Sequence, residues 1–94
     1  MSEQIRKALP AKFDFYVDHV PLGAPVPHAV MRVTDTGRVS FELWAESVGD
    51  VRDAWPAVKP VARDQWRLVN RRERSARFGA TEFYGFTADL LRPR

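Results

Sequence analysis

The chain has 94 residues, 45% of them apolar and 29% charged, with a formal net charge of +3 and no cysteine. Such a composition makes one globular α+β domain (1–94) with a modest core and is too apolar for disorder. It excludes disulfides, thiolate nucleophiles and cysteine-ligated zinc, so packing must supply the stability, with eleven aromatic side chains to draw on.

MSEQIRKALPAK at the start lacks the apolar run of a secretory signal, and no segment approaches membrane-spanning length. The expectation is a cytoplasmic protein without membrane contact. Charge is unevenly spread. Residues 1–59 carry seven Lys or Arg against eight Asp or Glu, and 60–94 carry eight Arg against four acids, nets of −1 and +4 that make up the +3. This asymmetry bears on the surface and its partners.

Ser2 and Glu3 open a short helix with Ile5, Ala8 and Leu9 on one side, and Pro10 stops it. Such a segment (1–10) is prone to fray. KFDFYVDHV (12–20) alternates, with Phe13, Phe15 and Val17 opposite Asp14, Tyr16 and Asp18, as in a strand with one buried face. Three prolines and a glycine then make PLGAPVP (21–27) a stiff loop. Residues 28–46 read as a hairpin: two β-prone arms flank Asp35-Thr36-Gly37, where glycine supplies the positive φ of a tight turn. On the second arm Val39, Phe41 and Leu43 alternate with Ser40, Glu42 and Trp44.

From Ser47 the period changes. Val48, Val51 and Trp55 recur at helical spacing, Ser47 suits the cap, and Pro56 is read as the end of a short helix, with PAVKP (56–60) as a link. RDQWRLVNRRERSAR (63–77), with six arginines in fifteen positions, admits two readings. As a helix over 61–78, Val61, Ala62, Trp66, Val69 and Ala76 form one stripe, and Gly79 ends it. As strands, Trp66 and Leu68 face the core, NRRERS turns, and Asn70 takes the left-handed conformation; the alternation of Trp-Arg-Leu-Val favours this reading slightly. ATEFYGF (80–86) is a strand in either case, and TADLLRPR (87–94) closes with a helical turn.

The expected architecture is therefore a four- to five-stranded antiparallel sheet, curled like an OB or SH3 half-barrel by analogy of element order, with one or two short helices. If 61–78 is helical, one strand is replaced by a long helix.

Only the arginine cluster carries chemistry with physical force. Arg63, Arg67, Arg71, Arg72, Arg74 and Arg77, with Trp66 and Phe78 between them, suit phosphate oxygens and a stacked base. Tyr84, in FYGF, joins Trp66 and Phe78 as a candidate interface aromatic. The plain alternative is a solvated polar face, partly neutralised by Asp64 and Glu73. His19, His28 and Asp18 match no established metal spacing, the acids alternate as on any half-buried strand, and no glycine pattern resembles a nucleotide loop. No enzyme activity, metal or cofactor is expected. The leading expectation is a small non-enzymatic binding module that docks DNA, RNA or another anionic surface on its arginine-rich last third. Its rival is a protein-interaction factor that blocks or joins a larger complex, as small phage-encoded inhibitors and accessory proteins do. A homodimer through an edge strand at 12–20 is compatible with both.

Overall fold

The computed structural model of the protein describes residues 2–92. Seven elements follow in order: α1 (Ser2–Ala8), β1 (Asp14–Val17), β2 (His28–Val33), β3 (Val39–Ala45), α2 (Val48–Gln65), β4 (Arg67–Phe78) and β5 (Thr81–Leu91). The five strands form one open sheet in the order β1-β2-β3-β5-β4. The α+β expectation holds, with five strands and two helices, and the linear order leaves β1 and β4 as free edges.

Three of the four pairings are antiparallel; β1 runs parallel to β2. The proline-rich loop explains the exception. Prolines bar a tight reversal after Val17, and ten residues of irregular chain easily return along a four-residue strand before β2 begins. The predicted hairpin over 28–46 is present as β2–β3, with Gly37 at φ 80° in its turn.

Three expectations for the chain beyond the hairpin are corrected. The helix that Pro56 was expected to end runs on through Pro56 and Pro60 to Gln65. Both prolines are exposed, so the Arg52 and Pro56 carbonyls that lose a backbone donor lie on the wet side, where water can satisfy them. The opposite stripe, Val51, Ala54, Val58 and Ala62, is buried against the sheet and holds the helix together across both breaks. Beyond Gln65 the chain is strand, so the arginine-rich stretch is split: Arg63 is helical and the other five lie on β4. The β4–β5 turn falls at Gly79, φ 63°, and not at NRRERS. Residues 87–91, expected as a helical turn, extend β5, because Ala88 and Leu90 alternate into the core beside Phe41 and Val39.

Both helices cover one face. Phe41, Leu43 and Ala45 of β3, Ala29 and Met31 of β2, and Phe86, Ala88 and Leu90 of β5 meet the buried stripe of α2 there. Trp55 stacks on Phe86, ring centroids 4.3 Å apart. Ile5 is fully buried and Leu9 nearly so, which seats α1 in the core, and the Arg6 guanidinium stands 5.6 Å from the centre of the Phe15 ring.

Candidate functional site

Among the described residues no helix covers the other face of the sheet, and its side chains follow from register. One cross-strand row reads His28, Trp44, Gly85, Arg74, and the next reads Val30, Glu42, Thr87, Arg72. Neighbouring strands are about 4.8 Å apart and successive rows on one face about 7 Å apart, so these positions form a compact lattice.

A β-bulge puts the arginines there. Between Val69 and Arg72 β4 uses one more residue than β5 does between Asp89 and Thr87, and Asn70 sits at φ 55°. Because side chains alternate, one extra residue reverses which of them face out. Arg67 and Val69 precede the reversal, Arg72 and Arg74 follow it, and all four share the open face. In an unbroken strand Arg71, Glu73, Ser75 and Arg77 would have occupied it instead.

The acids near this surface are already engaged. Arg32 bonds the Glu42 carboxylate, Arg38 stands 3.5 Å from Asp89, and Arg52 grips Glu73 through Nε and Nη2 at 3.2 and 3.4 Å. The last pair bridges α2 to β4 on the helix side, and the hydrogen bond and charge of Glu73 hold the Arg52 guanidinium above its usual pKa range. Arg72 and Arg74 have no carboxylate partner among the described residues; Arg74 Nε donates to Thr87 Oγ1 at 3.1 Å, which fixes its fork over β5. Together with Ser40, Glu42, Trp44, Asn70 and Asp89 they line a groove of about 910 Å³.

Trp44 is the aromatic centre of the face. Its indole lies over Gly85, where an added Cβ would stand 2.7 Å from two ring carbons, and its Nε1–H donates to Glu42 Oε1 at 3.0 Å. The ring is half-buried and forms a wall shared with a second, more apolar groove lined by residues 20–26 of the proline-rich loop, Phe78 and Phe83. Phe78 and Phe83 meet edge to face at 5.9 Å.

The structure gathers only part of the sequence-derived set. Arg67, Arg72 and Arg74 share one face with Phe78. Arg71 lies in the bulge, Arg63 is on α2, and Arg77 alternates onto the helix side, 3.8 Å from Glu82. Trp66, expected as a stacking ring, is 7% exposed and belongs to the core, because it caps α2 where the helix meets the sheet. Tyr84 is half-buried on the helix side, packed against the core. His28 Nδ1 lies 3.0 Å from the Pro25 carbonyl, and its ring meets Tyr16 edge to face. Sequence reasoning does not single out Trp44 as a functional residue, yet a signal is there: an indole in the polar row of an otherwise clean alternation.

No family model matches the chain, and no curated protein or solved structure matches it. No helix is long and apolar enough to cross a membrane among the described residues.

Proposed function

We propose that the chain is a small non-enzymatic binding module that docks nucleic acid on the open face of its sheet. One observation carries the reading. Arg72 and Arg74 stand side by side on that face without a carboxylate partner among the described residues, while the three acids that line the same groove, Glu42, Asp89 and Glu73, are occupied by Arg32, Arg38 and Arg52. Guanidinium forks held in this way suit phosphate oxygens, and an excess of four positive charges in the last third adds long-range attraction.

A salt titration with a labelled oligonucleotide tests it. Affinity falls steeply with salt, and replacing Arg72 and Arg74 by Ala lowers the slope of log K against log salt by about two, one for each phosphate that is no longer neutralised. Arg63→Ala, on α2, changes the slope far less. Absence of binding to DNA and RNA at low salt would remove the reading.

A second reading, a protein-interaction factor, draws support from the apolar groove. Leu22 at its rim is fully exposed and Phe78 is 73% exposed, and uncovered aromatic and aliphatic side chains around a groove suit a protein partner. Failure of both polymers to bind, with the fold intact, would favour this reading over the first.

A further inference from the structure

Resting on the nucleic-acid reading above, we infer that the polymer is single-stranded and that one of its bases stacks on the indole of Trp44. Gly85 makes this possible. With no side chain at that position, the row between Trp44 and Arg74 is empty, and the indole lies flat in the space. A ring laid along a sheet offers its outer face to a planar partner, whereas a ring standing on edge offers little. Glu42 fixes the orientation through the indole N–H and is itself held by Arg32, so the platform is pre-set.

Arg74 stands two strands away in the same row, roughly 10 Å from Trp44 by backbone spacing, and Arg72 is one row further on. A strand lying across the sheet would thus place its backbone on β4 and turn its bases toward β3. Phe83 and Phe78 continue the aromatic surface beyond Trp44. A duplex keeps its bases stacked on each other and presents no free base face, so only an unpaired strand uses the arginines and the indole at once.

The test compares a labelled single strand of about twelve nucleotides, as DNA and as RNA, with a duplex of the same length. The single strand binds at least about tenfold more tightly than the duplex. Trp44→Leu removes that preference but leaves salt-dependent duplex binding in place, and Trp44→Phe, which keeps a ring, retains most of the preference. Thermal melts of each variant check that the fold survives; should the Leu variant unfold, the strand-to-duplex ratio of the native chain together with the movement of the Trp44 indole N–H resonance on adding the single strand still decide, an unmoved resonance overturning the inference. Equal or tighter duplex binding, or a preference untouched in Trp44→Leu, overturns the inference while leaving the nucleic-acid reading standing. No binding of any polymer at low salt overturns both.

Discussion

The Asn70 side-chain amide donates to the Asp89 carboxylate at 2.8 Å, tying the bulge of β4 to β5. Asn70 holds φ 55°, a left-handed conformation that asparagine tolerates better than most residues and a β-branched residue resists. Since the bulge decides which arginines face out, this one residue governs the composition of the open face.

Asn70→Gly should therefore keep the bulge, losing only the exposed side-chain bond. Asn70→Val loses the same bond and adds backbone strain of about 1–2 kcal/mol. Glycine's greater freedom in the unfolded chain offsets about 0.5–1 kcal/mol of that strain, so the denaturant midpoint of Asn70→Val should lie modestly below that of Asn70→Gly. A midpoint for Asn70→Val well above that of Asn70→Gly would show that the left-handed conformation is not what holds the bulge.

Gly85→Ala inserts a methyl group under the Trp44 indole. Overpacking costs about 1–3 kcal/mol in a closed core, but this ring is half-exposed and can swing outward, so a loss toward the lower end is expected. The clearer readout is the indole N–H resonance of Trp44, which should move as its bond to Glu42 breaks, with a parallel loss of single-strand preference. An unmoved resonance would mean that the ring does not rest on Gly85.

Ile5→Ala probes the seating of α1. A fully buried isoleucine cut to alanine costs about 2–5 kcal/mol, so the variant should melt well below the native chain. Lys7→Ala, on the exposed side of the same helix, should cost almost nothing. If Ile5→Ala proved equally mild, the N-terminal helix would be an appendage and not part of the core.

Legibility in the sequence divides along the reach of the interactions. The hairpin over 28–46 is readable because Gly37 and two alternating arms lie within twenty residues. The parallel pairing of β1, the insertion of β5 between β3 and β4, and the passage of α2 through Pro56 and Pro60 depend on contacts distant in sequence. For α2, the buried stripe from Val51 to Ala62 outweighs two local helix breakers. The arginine cluster is legible as a composition but not as a surface. A bulge at Asn70 reverses the alternation, and the boundary at Trp66 sends Arg63 to a different element, so that of six arginines only Arg67, Arg72 and Arg74 lie together on the open face. The aromatic partner is hidden for a similar reason: Trp66 neighbours the arginines along the chain, whereas Trp44 neighbours them across the sheet.

The open face as binding surface is tested most directly by an amide chemical-shift titration of the native chain with a single-stranded oligonucleotide at low salt. The expected result is a contiguous set of shifts on β3, β5 and β4 that includes Trp44, its indole N–H, Gly85, Thr87, Arg72 and Arg74, with α1 and α2 unmoved. Shifts confined to the helix-covered side, around Arg52 and Arg63, would contradict it.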